Sequence, residues 1–331
     1  MSDTTHDVIA VGAAIVDIIA RIEDHTLAPL DIAKGAMTLV DEAGSAAIYD
    51  ALGETLERSG GSAANTIAAL GVLGRKAAFI GKRRDDAFGD VFAQDIRATG
   101  THFTSAAVTT GEATARCLVM VTPDAERTMA TYLGVSGDLE PDDVDREAVA
   151  GSAILYLEGY LWDKPAAKDS FRRAMEIAHE AGRKVALSLS DPFCVDRHRD
   201  SFREIVASDI DLLFANEAEL LSLYQTEDLE EALAAVAKDV DIAAVTRGPD
   251  GAIIVAGGER IAVPALPPAA LVDTTGAGDL FAAGFLNGMT TGQPLDVCGA
   301  MGCTAANVVI QVLGARCPDA LKAKFAIEGW A

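Results

Sequence analysis

The chain has 331 residues, half of them hydrophobic, with a formal net charge of −23 and a pI near 4.5. A surface this acidic excludes a nucleic-acid or anionic-membrane partner, which needs a basic face, so an anionic ligand has to sit in a locally positive pocket. The length suits one large α/β core with a small appendage, and five cysteines without a CxxC pair suit reduced thiols in a cytoplasmic protein.

The N-terminal stretch carries Asp3 and Asp7 and no basic segment, so residues 8–11 read as a buried strand and not as a signal peptide. Gly12 ends that run. Asp17 follows where the chain beyond a parallel strand faces a ligand crevice; it is either a solvated turn aspartate or a group that hydrogen-bonds paired hydroxyls. Residues 18–40 are a mixed run with Pro29 and Gly35. In Ser59-Gly-Gly-Ser-Ala-Ala-Asn65, Ser62 is placed as the N-cap of a helix over 63–73 whose small residues allow close packing. That packing explains every residue except Asn65. Lys82-Arg83-Arg84-Asp85-Asp86 reads as a charged strand-to-helix turn. Residues 116–122 and 127–132 alternate about Pro123-Asp124, the pattern of a hairpin. The blocks at about 18–40 and 101–132 are expected to form a small sheet over the crevice, as a lid on a single domain spanning 1–331.

From residue 140 onward apolar runs at 154–157, 185–189, 211–214 and 243–246 alternate with helical segments at 165–179 and from Glu217, which predicts an α/β fold with a mostly parallel sheet. Asn216 and Glu219 stand directly after a strand, and as residue types they make a capping box. Thr246-Arg247-Gly248, with Gly251, ends another strand, and Arg247 is the only cation of that loop. Residues 297–315 carry no charge and are long enough to cross a bilayer, but Asn307, Gln311, Thr304 and three glycines make them a helix buried against the sheet. The five histidines have no metal spacing.

The stretch that organises the rest is 272–285, Val-Asp-Thr-Thr-Gly-Ala-Gly-Asp-Leu-Phe-Ala-Ala-Gly-Phe. A helix that starts near Gly276 to Asp279 leaves backbone N–H groups unpaired at its positive end, and glycine lets a phosphate approach them. Asp279 then stands where a base takes the proton from an attacking hydroxyl. The plainer alternative is that Asp273 or Thr274 caps an ordinary helix and Asp279 complements its dipole.

Residues 273–285 resemble the C-terminal signature of the ribokinase-like (PfkB) family of carbohydrate and nucleoside kinases, and 59–71 resemble its N-terminal signature. The likeness runs over nearly the full chain. It implies a ribokinase-like three-layer sandwich with a small β lid, and transfer of a phosphoryl group from ATP to a hydroxymethyl group. Asp279 would be the general base, and Gly276, Ala277 and Gly278 the anion hole. Asp17, Gly61 and Asn65 would hold the acceptor. Asn216, Thr246, Arg247, Gly248, Gly251 and Asn307 would contact ATP, and Glu219 would act on Mg²⁺ through water. A monovalent cation such as K⁺ is a further implied ligand.

Two positions depart from the family pattern. Ala13 stands where adenosine kinases have an asparagine, and Arg84 replaces a glycine, which would strain the loop if its φ were positive. The stretches at 156–162, 187–193 and 211–219 resemble the adenosine-kinase branch. The expectation is therefore a nucleoside 5′-kinase of purine salvage. A sugar kinase of ribokinase, fructokinase or ketodeoxygluconate type is the alternative. A non-catalytic ligand-binding regulator on the same fold is the third reading, against which Asp279 and the glycines stand. A monomer and a homodimer are both open, since a lid sheet can cap its own site or pair with a partner's edge.

Overall fold

In the computed structural model, which describes residues 4–330 except 31, 36 and 125, apolar runs and helical segments alternate through most of the chain. In chain order the elements are β1 (His6–Val11), β2 (Ile15–Arg21), β3 (Met37–Leu39), α1 (Glu42–Ala51), β4 (Thr55–Gly60), α2 (Ser62–Val72), β5 (Ala77–Ile80) and α3 (Ala87–Ala98). They continue with β6 (Ala115–Val121), β7 (Arg127–Tyr132), α4 (Arg146–Ala150), β8 (Ser152–Glu158), α5 (Pro165–Glu180), β9 (Lys184–Ser188), α6 (Pro192–Ser208), β10 (Leu212–Asn216), α7 (Glu217–Tyr224) and α8 (Leu229–Asp239). The last are β11 (Ile242–Thr246), β12 (Ala252–Ala256), β13 (Glu259–Val263), α9 (Ala277–Thr290), α10 (Leu295–Val309) and α11 (Pro318–Ile327).

Eight strands form the main sheet in the order β13-β12-β11-β10-β9-β8-β1-β5. All neighbours from β5 to β11 pair parallel, and the hairpin β12–β13 adds two antiparallel strands at one edge. Parallel strands are covered on both faces, and their side chains alternate between two cores. Val8 and Ala10 of β1 face a core with α2, α9, α10 and α11, whereas Ile9 and Val11 face one with α5, α6, α7 and α8. The result is the three-layer sandwich expected from the sequence. Aspartates start several helices: Asp86, Asp145, Asp191 and Asp228 each cap the helix that follows.

A second sheet, β3-β7-β6-β2-β4, draws on a wider set of segments than 18–40 and 101–132. Its strand β2 begins at Ile15, β4 comes from a stretch not expected to be extended, and α1 precedes it. Residues 101–114 contribute isolated bridges at His102 and Val108 and no strand. Within the two expected blocks, residues 31, 36 and 125 lie outside the described residues. The hairpin expected around Pro123-Asp124 forms as β6–β7.

Other expectations shift for local reasons. The helix expected over 297–315 ends at Val309, and 310–316 form a loop that hydrogen-bonds to Val272 and Asp273 ahead of α9. Arg84 is not in the left-handed region; it bridges Val108, while Asp86 caps α3 and also accepts from the amide and hydroxyl of Thr114. All five cysteines are buried and free. No described helix is long and apolar enough to cross a membrane.

Candidate active site

The chemistry gathers beyond the C-terminal ends of the parallel strands, where α9 starts. Gly276 caps α9 with φ +75°, and a Cβ there would lie 2.6 Å from that of Ala315, so only glycine makes this turn. Within the first turn, Ala277 N–H donates to Thr274 O and Leu280 N–H to Gly276 O. The amides of Gly276, Gly278 and Asp279 have no acceptor among the described residues, and the space beside Gly278 is open. These unpaired amides at the positive end of a 14-residue helix form a cradle that can receive an anion.

The loop in front of α9 is held by Asp273, which is 5% exposed. One carboxylate oxygen accepts from the amide and hydroxyl of Thr275, at 2.8 and 2.7 Å, and the other from the Gly314 amide at 2.8 Å. The Ile310 carbonyl accepts from the amides of Val272 and Asp273. Loop 310–316 is thus the back wall of the cradle.

Asp279 projects from the first turn of α9 toward α2. One carboxylate oxygen accepts from Ser62 Oγ at 2.6 Å and the other from Asn65 Nδ2 at 2.8 Å. Desolvation pushes its pKa up, and these two donors with the charge of Arg316 pull against that rise. Ser62 is therefore not the N-cap of α2: Gly61, at φ +94°, takes that place, and Ser62 spends its hydroxyl on Asp279. Asn65 is buried, and its Oδ1 has no donor.

Asp17 was expected on a loop past β1 and lies instead within β2, opposite Arg58 and Cys117 on the face of the small sheet that overlooks α9. The close turn at β4 makes room for it: a Cβ on Gly60 would sit 2.2 Å from its carboxyl carbon. No donor among the described residues reaches the Asp17 carboxylate. Desolvation pushes its pKa up to about 7, opposed by Arg316 and assisted by the charges of Asp279 and Asp273. Ala13 carries no polar side chain; its amide donates to Glu158, which also accepts from the Ala63 amide, both at 2.6 Å. Burial pushes that carboxyl up to about 7.

Asn216 and Glu219 take up the capping-box geometry: Glu219 N–H donates to Asn216 Oδ1 at 2.8 Å, and the Asn216 amide and side chain donate back at 2.9 and 2.6 Å. Desolvation raises Glu219 to about 7, and Asp191 and Asp279 add to the rise, which puts these carboxylates in one electrostatic neighbourhood. Thr246 is paired with Asn216 at the ends of β11 and β10. Arg247 is committed to Glu217 at 2.9 Å, and Gly248 and Gly251 form the turn into β12. Asn307 lies on α10, where it donates to Leu266 O in the loop that follows β13.

Two cations of this site carried no motif. Arg127 of β7 reaches across to the α9 loop: its Nη2 donates to Thr274 Oγ1 at 2.9 Å, Nη1 meets the Thr275 hydroxyl, and Nε lies 3.1 Å from Asp273. Arg316 donates to Ser59, Ala64 and Asn65 from the back wall. A single arginine on an alternating strand and another after a glycine turn are not distinguishable in sequence from surface residues.

The family described as pfkB family carbohydrate kinase matches residues 7–321. The chain is 47% identical, with a TM-score of 0.93, to a probable sugar kinase protein from Rhizobium etli CFN 42, covering 99% of this chain and 100% of that one. It is 46% identical, with a TM-score of 0.91 and the same coverage, to the adenosine kinase from Sinorhizobium meliloti. Adenosine kinase of Saccharomyces cerevisiae is 27% identical over 338 residues, 95% of this chain and 98% of that protein. The chain belongs to the pfkB family of carbohydrate kinases, in its adenosine-kinase-like branch. It is an ATP-dependent phosphotransferase of the sugar and nucleoside kinase class.

Proposed function

We propose that the chain phosphorylates the 5′-hydroxyl of a purine nucleoside, adenosine first. The observation that carries the reading is the Asp17 carboxylate, to which no described residue donates, set on the same face as a base that Ser62 and Asn65 hold in place. Vicinal hydroxyls supply the donors this acceptor lacks. Asp279 takes the proton from the attacking hydroxyl, and the free amides of Gly276, Gly278 and Asp279 receive the transferred phosphoryl oxygens. Arg127, already at Thr274 and Thr275, brings a guanidinium to the edge of that cradle.

For ATP, the unpaired amides and open space at Gly278 fit a phosphate. Thr246, Gly248, Gly251 and Asn307 would flank the nucleotide, with Arg247 reaching it only by leaving Glu217. For Mg²⁺, Glu219, whose burial and repulsion by Asp191 raise its pKa, fits a dication held largely through water; no group of three or more ligating side chains is arranged to grip one directly among the described residues. When bound, the ion neutralises the phosphoryl charge. The Ile310 and Asp273 region, rich in turned backbone, is where a monovalent cation such as K⁺ would be sought.

The nucleoside reading draws on the underside of the small sheet, the lid of this proposal. Ile15, Ile19, Val119 and Val121 cluster there with Met129 and Leu313, and Leu39 and Leu56 share that face while remaining 58% and 41% exposed. Phe193 is 76% exposed after the Ser190 turn. Apolar surface over a hydroxyl site suits a base, which a free sugar lacks. The 46% likeness to an adenosine kinase supports this, and the likeness to a probable sugar kinase supports the alternative. A competition assay with adenosine, ribose, fructose and 2-keto-3-deoxygluconate at equal concentration decides it. Adenosine is expected to lead ribose in kcat/KM by about a hundredfold or more, the worth of a few kcal/mol of apolar burial. A free sugar phosphorylated faster than adenosine overturns the nucleoside reading.

A further inference from the structure

Arg316 lies outside every motif, on the loop between α10 and α11. Its Nη2 donates to Ser59 O at 2.7 Å and Ser59 Oγ at 2.9 Å, and its Nη1 to Ala64 O at 3.2 Å and Asn65 O at 3.3 Å. Asp95 of α3 fixes Ser59 from the other side, accepting from its amide at 2.9 Å and its hydroxyl at 2.6 Å. These bonds join three parts of the site: the turn where β4 of the small sheet passes into α2, the first turn of α2 with Asn65, and the loop whose Ile310 and Gly314 hold the α9 cradle.

Charge adds a second, independent relation. The groups that face Arg316 are Asp95 of α3, Asp17 of β2, Asp279 of α9 and one other cation, Arg58 of β4. Asp17 is faced by Arg316, Asp279 and Asp273. Asp279 is faced by the donors Ser62 and Asn65 and by Arg316, and its own charge reaches Tyr156, Tyr160, Glu158 and Glu219. Cys117 beside Asp17 and Cys317 beside Arg316 are pushed up by burial and stay neutral. Arg316 is thus the cation, among the described residues, whose field acts on both carboxylates.

We propose that Arg316 is a positioning residue of the phosphotransfer site: it locks Asn65 and the Ser59 turn to the loop behind the α9 cradle, and it holds a fixed positive charge against Asp17 and Asp279. The proposal rests on the acceptor and base roles given to those two carboxylates above. A planar guanidinium, always charged and able to donate to several carbonyls at once, meets both demands. Lysine keeps the charge and reaches fewer carbonyls; glutamine keeps part of the hydrogen bonding and no charge.

Rates with adenosine are measured from pH 5 to 9 on the wild type, Arg316→Gln, Arg316→Lys and, as a control on the underlying reading, Asp279→Asn. In Arg316→Gln the acid limb of kcat/KM is expected to move up by about one pH unit, because loss of a nearby cation raises a carboxylate pKa. Its acceptor KM is expected to rise about tenfold while the ATP KM stays within about threefold. In Arg316→Lys the limb stays near the wild-type position and the acceptor KM still rises, by about fivefold. A purely structural role would lower the melting temperature of both variants and leave the limb of Arg316→Gln in place, and that result overturns the proposal. An ATP KM raised as much as the acceptor KM does the same. If Arg316→Gln does not fold, Arg316→Lys decides alone: an unchanged acceptor KM, or an ATP KM raised with it, refutes the positioning role, and an acceptor KM raised about fivefold with an unchanged ATP KM supports it. Turnover retained by Asp279→Asn would refute the base assignment itself, separately from the Arg316 result.

Discussion

Replacing Asp279 by asparagine isolates proton transfer from geometry. In the wild type one carboxylate oxygen takes the Ser62 hydroxyl and the other the Asn65 amide. An asparagine can turn its carbonyl to Asn65 and present its NH₂ to Ser62, whose hydroxyl rotates to accept, so both contacts survive. Only the ability to accept a proton is lost. General-base catalysis contributes about 10²- to 10⁴-fold, so kcat is expected to fall by that factor, a rise of about 3–5 kcal/mol in the barrier. Acceptor binding, read as a thermal shift with adenosine, is expected to persist, because a ligand specific to the native state raises its melting point whether or not it reacts. ADP release monitored under saturating ATP and adenosine supplies kcat. A kcat within about tenfold of wild type would remove Asp279 from the mechanism.

Gly60→Ala places a methyl group 2.2 Å from the Asp17 carboxyl carbon, so it is expected to raise the acceptor KM with little change in the ATP KM; equal effects on both would mean that Asp17 does not serve the acceptor. Asp17, Glu158 and Glu219 all titrate near 7 in the fold, above their ordinary values of 3.8 to 4.5. The native state then holds protons that the unfolded chain has released, so their contribution is present below about pH 4 and is lost as pH rises through 7, at up to about 1.4 kcal/mol per pH unit for each group. Unfolding by urea at pH 5 and pH 8 is expected to show wild type losing more stability than Asp17→Asn across that interval, and identical losses would disprove the elevated Asp17 pKa.

Periodicity alone was enough for the layered α/β core. Runs such as 154–157 and 243–246 are buried on both faces, so their composition reports their state whatever their neighbours are, and β8 and β11 form there. The Gly276 cap and the helix behind it are equally local, because the αL turn and the open first turn are properties of a few consecutive residues. The smaller sheet was less legible. Its edge strand β4 has an exposed, charged composition, Thr-Leu-Glu-Arg-Ser-Gly, that becomes extended only because β2 and α3 lie beside it.

What required the tertiary structure is the partnership of distant side chains. Ser62 has the composition of an N-cap, yet its hydroxyl meets Asp279, 217 positions along the chain, and the cap passes to Gly61. Arg127 lies 147 positions from Thr274 and Arg316 lies 257 from Ser59. Local sequence carries the propensity of a segment to be a strand, a turn or a helix start. It does not carry which buried charge will face which acceptor, because that is set by how the crossover connections bring strand ends together, and an unpaired charge in that crevice has a meaning only once its neighbours are known.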